Sequence, residues 1–320
     1  MHMNRRRFIG TVAAGMLAGP LLAAPKFKAL PTRKFGRTGI NVPILGFGCG
    51  SRFLMYADED EAIAALNHAI DLGITYIDTA HSYGGGKSEE RVGRVMATRR
   101  KEVVLATKLS ARTADEARKQ IELSLKRLHT DRFEVLHIHN LKNLKDLESI
   151  EAKGGVLEAI YEARDQKITR AIGITCHADP SALKTALERH DFDCTQMALN
   201  AGLASMTDKM KIAPAGPTCF EHLALPVAVR KKIGVIAMKV FGQEQLVGTV
   251  AGEKLLAYAL SLPVSLASVG MPKPQFILAN AAHARDFYPL SRREREALTK
   301  AIGTERKQAL NHFFRDHEDV

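Results

Sequence analysis

Four residues have types and spacing that suit proton transfer to a reactive carbonyl. Asp78 lies in the apolar run 75–79, Lys108 closes the run 103–108, His139 closes 133–139, and Tyr83 sits in a Gly-rich loop shortly after Asp78. Singly, each has an ordinary reading: Asp78 as a helix cap, Tyr83 as loop packing, Lys108 as a long stem reaching solvent, His139 as a core histidine. Together the balance changes, because a Lys and an Asp inside a folded core are costly unless paired, and a paired ammonium beside a phenol has a chemical use. A free phenol, with a pKa of about 10, donates sluggishly at neutral pH, and a neighbouring ammonium brings it towards the working range. Such a phenol can hand its proton to a carbonyl oxygen whose carbon receives a hydride. Asp78 would keep Lys108 charged and placed. His139 would orient the carbonyl oxygen or share the proton relay.

Something must bring these runs to one mouth. Short apolar runs at 44–48, 75–79, 103–108, 133–139, 169–175, 194–198, 234–238 and 264–268 read as strands. Apolar residues at three- and four-residue steps between them, such as Ile63, Leu66 and Ile70, or Ala117, Ile121, Leu125 and Leu128, read as helices. Ser88, followed by Glu89 and Glu90, is the expected N-cap of one of them. Eight strands each followed by a helix over about 250 residues predict a single-domain α/β fold, a closed (β/α)₈ TIM barrel whose catalytic face lies at the strand ends. A doubly wound sheet is the alternative, but the glycines at 46, 48 and 50 do not run into a helix until about Asp60, so its dinucleotide signature is missing. The expected layout is a leader at 1–24, a linker at 25–32, the barrel at 33–290 and a helical extension at 291–320.

The leader is read from Arg5, Arg6 and Arg7 ahead of Phe8 and an uncharged, weakly hydrophobic stretch ending at Ala23 and Ala24, a pattern that resembles a twin-arginine export signal. The expected consequences are engagement of the twin-arginine translocase, removal of the leader and a periplasmic location. The stretch is too rich in Gly and Ala for stable membrane insertion. A formal charge of +11 is spread over helical segments, and with 6% aromatic residues and no Trp it offers no stacking platform, so nucleic acid is not an expected partner. The four cysteines form no CxxC pair and no metal-ligating run, so no metal is expected.

In order and spacing, Asp78-Thr79-Ala80, Tyr83 to Glu90, Thr107-Lys108, Ile138-His139, Ile172 to Thr175, Gln196 and Asn200 resemble the aldo/keto reductase family, from about Arg33 to Leu290. The resemblance implies an NAD(P)H-dependent oxidoreductase that reduces an aldehyde or ketone, with Asp78, Tyr83, Lys108 and His139 as its catalytic group. It implies that Thr175 and Gln196 hold the nicotinamide carboxamide, and that Lys239, Gly270 and Asn280 also meet the cofactor. Cys176 stands where the family usually has Asn, and Met238 where an aromatic usually stacks on the nicotinamide. Phe276 stands where an Arg often grips a 2′-phosphate, leaving Lys273 as substitute, so the expected preference is NADP(H) over NAD(H) by a modest factor.

Two competing functions are a metal-dependent hydrolase, suggested by His137 and His139 on one face of a strand, and a cofactor-binding sensor with weak catalysis, suggested by Met238. His137 otherwise reads as the partner of a neighbouring polar group inside the barrel. No charge cluster in the loops 140–153 and 241–252 names a substrate. Phe53, Met55, Tyr56 and Met206 are candidate apolar lining.

Overall fold

The computed structural model describes residues 29–203 and 218–315; the leader at 1–24, Met206 and the last five residues lie outside the described residues. The chain begins with a small antiparallel hairpin, β1 (Thr32–Lys34) and β2 (Asn41–Pro43). Eight parallel strands follow and close into a barrel: β3 (Leu45–Gly48), β4 (Tyr76–Asp78), β5 (Val104–Leu109), β6 (Phe133–Ile138), β7 (Thr169–Cys176), β8 (Cys194–Ala198), β9 (Gly234–Met238) and β10 (Leu266–Val269), with β10 pairing back onto β3. The outer ring is α1 (Glu59–Asp71), α2 (Lys87–Arg99), α3 (Ala114–Arg127), α4 (Leu144–Glu151), α5 (Val156–Asp165), α6 (Pro180–Arg189), α7 (Phe220–Arg230), α8 (Gly252–Leu260) and α9 (Pro274–Arg285). The TIM barrel is thus the fold, and every expected strand is present within two residues of its expected ends.

Alternation along the strands separates two apolar layers. Outward residues such as Phe47, Ile77, Leu105, Leu136, Ile172 and Met197 join the helices in the large core. Inward residues at the base, Tyr76, Ala106, Val135, Ala171, Cys194, Ile236 and Leu266, come one from each of seven strands and enclose Phe35, Ile40 and Val42 of the hairpin. The eighth strand contributes Gly46, where an added Cβ would stand 2.8 Å from Leu266 and 3.0 Å from Tyr76. The hairpin therefore stoppers the barrel at the base. Its turn needs Gly36, which has φ +54° and leaves no room for a side chain, since a Cβ would lie 2.3 Å from the Gly234 nitrogen.

Three expectations are corrected. A hairpin that was not expected stands at the start of the barrel segment; only its first residue, Thr32, falls in the expected linker 25–32. The loop expected at 140–153 contains α4. Ser88 lies inside α2, whose N-cap is Gly86; the Ser88 hydroxyl instead donates to the Cys49 carbonyl at 2.7 Å and meets Thr79 Oγ1 at 2.8 Å. Beyond α9 the chain forms α10 (Arg292–Ile302), started by a Ser291–Glu294 capping box, and α11 (Thr304–Arg315). The buried Leu310 rests in the space left by Gly202 after β8 and Gly242 after β9, where added Cβ atoms would approach it to 2.7 and 2.6 Å.

Candidate active site

Two residues beyond the apolar base layer, the same inward face of each strand reads Gly48, Asp78, Lys108, His137, Gly173, Gln196, Met238 and Ser268. The change from apolar to polar along one face is what makes the site. Glycine at 173 gives His137 its space, since a Cβ there would stand 2.5 Å from His137 Nδ1.

Asp78 and Lys108 form a buried ion pair, with Oδ1 2.8 Å from Nζ and side chains 4% and 1% exposed. Lys108 Nζ also donates to the Thr79 carbonyl at 2.7 Å and to the Tyr83 hydroxyl at 3.1 Å. The ammonium further lies 4.7 Å from the centre of the Tyr83 ring. The His139 ring packs edge-on to Tyr83 with centroids 5.4 Å apart, and His177 packs against His139 at 6.3 Å. The four residues expected to act together are therefore brought together, with Tyr83 and His139 at the mouth and the ion pair beneath them. Asp78 Oδ2 accepts two further hydrogen bonds, from Gln196 Nε2 at 2.8 Å and Ser268 Oγ at 3.0 Å. A buried carboxylate needs such partners to remain ionised.

Behind the Tyr83 loop lies a second polar group. Arg127 donates to the carbonyls of His81 and Gly85, each at 3.2 Å, and to Glu89 Oε2 at 3.3 Å. Glu89 is fully buried and also accepts from Thr107 Oγ1 at 2.7 Å; burial pushes its carboxyl up, against the pull of these donors. Gly84, Gly85 and Gly86 all have positive φ, so the loop turns sharply enough to aim Tyr83 back over Lys108.

A cavity of about 610 Å³ opens from this point towards β9 and β10. Of the residues assigned to a cofactor, Gln196, Met238, Lys239, Gly270 and Asn280 line it. Thr175 and Cys176 do not. Thr175 Oγ1 accepts from the Asn140 backbone at 2.8 Å, and Cys176, on the opposite face of β7, donates to the carbonyls of Leu141 at 3.1 Å and Asp179 at 3.3 Å within the outer core. Burial pushes the Cys176 thiol up to about 12. Lys273 is exposed at the N-cap of α9 outside the lining, whereas Phe276, Ala279 and His283 of that helix are part of it. Over the cavity Arg52 pairs with Glu244 at 3.1 Å and donates to the Gln243 carbonyl at 3.3 Å. Lys239, Gln243 and Glu244 there have φ of +56°, +52° and +72°. Of the expected apolar lining, Phe53 and Tyr56 are buried in the core and Met55 is exposed beside Arg52 without lining the cavity, while Met206 lies outside the described residues.

The expected partner for His137 is also missing. Neither ring nitrogen has a hydrogen-bond partner among the described residues, although Asp78 and Lys108 are near enough to act on it electrostatically; burial pushes it down to about 3. Among the described residues no three His, Cys, Asp or Glu side chains are grouped to hold a metal ion, and Asp78 is committed to Lys108. That removes the support for the hydrolase alternative. Ser268 was not singled out from sequence, although counting in twos from Leu266 reaches it. Arg52 and Glu244 meet only through the fold, and no local pattern marks them.

The model of the aldo/keto reductase family matches residues 45–254, and the chain belongs to that family. It is 36% identical over 151 residues to an NADP(+) aldo-keto reductase of Schizosaccharomyces pombe, covering 42% of this chain and 43% of that protein. It is 28% identical over 237 residues to a D-threo-aldose 1-dehydrogenase of a Pseudomonas species, covering 63% and 67%. The matched stretch spans about half the length of most of the curated relatives considered, such as the 47% covered in L-galactose dehydrogenase of Arabidopsis thaliana. Among solved structures, an aldo/keto reductase from Klebsiella pneumoniae in complex with NADP and acetate aligns with a TM-score of 0.66 at 25% identity, over 84% of this chain and 94% of that one.

Proposed function

We propose that the chain is an NAD(P)H-dependent oxidoreductase that reduces an aldehyde or ketone to an alcohol, with Tyr83 as proton donor. The observation that carries this reading is the Lys108 ammonium held between Asp78 and the Tyr83 hydroxyl, at 2.8 and 3.1 Å. An ammonium at that distance stabilises the phenolate left behind, which eases release of the proton. His139, edge-on to the phenol, is placed to hold the carbonyl oxygen beside it. Tyr83 and His139 are each 5% exposed, so little water competes for that oxygen.

The cavity fits a nicotinamide cofactor by an observation of its own: Gln196 Oε1 is buried, faces the cavity and has no partner among the described residues, while Nε2 of the same amide is committed to Asp78. A carboxamide N–H would satisfy it. When bound, the cofactor supplies the hydride. Met238 would cover one face of the ring as a polarisable thioether. Two relatives named above carry NADP in their names or titles, which supports NADP(H) over NAD(H); Phe276 on the cavity wall and Lys273 outside it support only a modest preference.

The test is quenching of protein fluorescence by NADPH and NADH followed by turnover of a simple aldehyde. Tyr83→Phe should retain cofactor affinity while the single-turnover rate falls about 10²- to 10⁴-fold. An unchanged rate would remove Tyr83 from the proton step. Absence of binding by both cofactors at millimolar concentration would dispose of the reading. Export by the twin-arginine route to the periplasm remains part of the proposal, supported by the sequence of residues 5–24; Arg5→Lys with Arg6→Lys should leave the precursor untrimmed in the cytoplasm, and a trimmed periplasmic double variant counts against it.

A further inference from the structure

Asp78 presents its two oxygens to different sides. Oδ1 lies 2.8 Å from Lys108 Nζ, and Oδ2 accepts from Gln196 Nε2 at 2.8 Å and Ser268 Oγ at 3.0 Å. Ser268 is buried on β10, one inward step beyond Leu266, where an aliphatic side chain would fill the barrel as Leu266 does below it. Its hydroxyl donates to Asp78 alone among the described contacts. The neighbouring Gly48 leaves it room, since a Cβ there would stand 3.3 Å from Ser268 Oγ.

A neutral donor on a buried carboxylate takes up part of its charge and fixes the plane of the group. Two fields act on the Tyr83 phenol, the Lys108 ammonium favouring loss of its proton and the Asp78 carboxylate opposing it. We propose that Ser268 is a positioning residue for the proton step: by engaging Asp78 Oδ2 it commits Oδ1 to Lys108 and limits how far the carboxylate offsets the ammonium at Tyr83. The proposal rests on Tyr83 being the proton donor. Without the Ser268 hydroxyl, more of the Asp78 charge acts on Tyr83, and the phenol keeps its proton to higher pH.

The surroundings make that shift readable. Facing Asp78 are Lys108 from β5, His137 from β6, Cys49 beyond β3, Tyr76 on the same strand and Cys194 from β8. Burial pushes Cys49, Tyr76 and Cys194 up and His137 down to about 3, so all four are moved away from neutral pH. Facing Tyr83 are Lys108, itself paired with Asp78, and His139, itself packed against His177, with His81, Glu89 and Arg127 behind its loop.

The experiment measures kcat for reduction of a simple aldehyde with saturating NADPH from pH 6 to 10, on the full chain, for the parent, Ser268→Ala and Ser268→Cys, with the NADPH dissociation constant measured alongside. Reduction needs the protonated phenol, so its basic limb should move up in Ser268→Ala by about half a pH unit, a threefold change in the phenol-to-phenolate ratio. The rate at neutral pH should fall as the donor weakens. Ser268→Cys, similar in size and a weaker donor, should fall between the two. A Ser268→Ala basic limb that superimposes on the parent's, with only the melting temperature or the NADPH affinity changed, overturns the proposal alone. A parent that reduces no aldehyde overturns it together with the proposed function.

Discussion

Replacing Lys108 by Met tests how the site is held together as well as how it reacts. Lys108 Nζ makes three contacts within 3.1 Å, to Asp78, the Thr79 carbonyl and Tyr83, from a side chain 1% exposed. Lys108→Met keeps much of the volume and removes all three. Breaking a buried ion pair from one side costs about 3–5 kcal/mol, because a charge is left without compensation. Asp78 retains two donors at Oδ2, which places the expected loss near the lower end, about 3 kcal/mol. For a chain of this size that corresponds to a fall in Tm of roughly 4–5 °C. The assay is a double-mutant cycle with Asp78→Leu, read by urea and thermal unfolding at pH 7. The double variant, which removes both charges together, should recover most of what either single variant loses. Acidification should shrink the loss in Lys108→Met, since the stranded carboxylate can then take up a proton. A coupling within about 0.5 kcal/mol of zero, with the two losses simply adding, would refute the view that the pair is one buried unit.

Gly93→Ala should cost about 3 kcal/mol or somewhat less in urea unfolding, because an added Cβ would stand 1.9 Å from the Arg127 carbonyl and must force α2 away from α3; an unchanged midpoint would show that this contact relaxes freely. His137 gives a pH signature. Its folded pKa of about 3 lies below the unfolded value of about 6.5, so the unfolded chain takes the proton first, and stability present above pH 6.5 is lost as pH falls towards 3. His137→Leu should flatten the stability profile between pH 6.5 and 5 by up to about 1.4 kcal/mol per pH unit relative to the parent, and equal slopes in the two proteins would contradict the burial argument.

The barrel strands were legible because each is a continuous apolar run, long enough to stand out from the helical periodicity on either side. β1 and β2 were not, since each has only three residues and the side chains that matter, Phe35 and Ile40, lie in the turn between them. Of the residues proposed to act together, Asp78, Lys108 and His139 were legible as polar types at the ends of apolar runs and Tyr83 by its Gly-rich loop. Ser268 has the same position on β10 but is an ordinary serine, and only the register that makes it an inward neighbour of Asp78 gives it meaning. Thr175 and Cys176 show the complementary limit. Consecutive strand residues point to opposite faces, so both could not look into one cavity, and Cys176 turns to the outer core. Ser88 looked like a cap because it precedes two acids; Gly86, with φ +106°, takes that place and leaves the hydroxyl to tie α2 to Cys49.

The hairpin stopper gives the molecule a front and a back. Phe35, Ile40 and Val42 seal the base, and just ahead of them Leu30 packs near Gly73 on the same side. Leu30 therefore lies at the end of the barrel opposite to Tyr83 and the cavity. The same seal makes the vessel a cul-de-sac, so a ligand entering at the mouth must send the water it displaces back past itself.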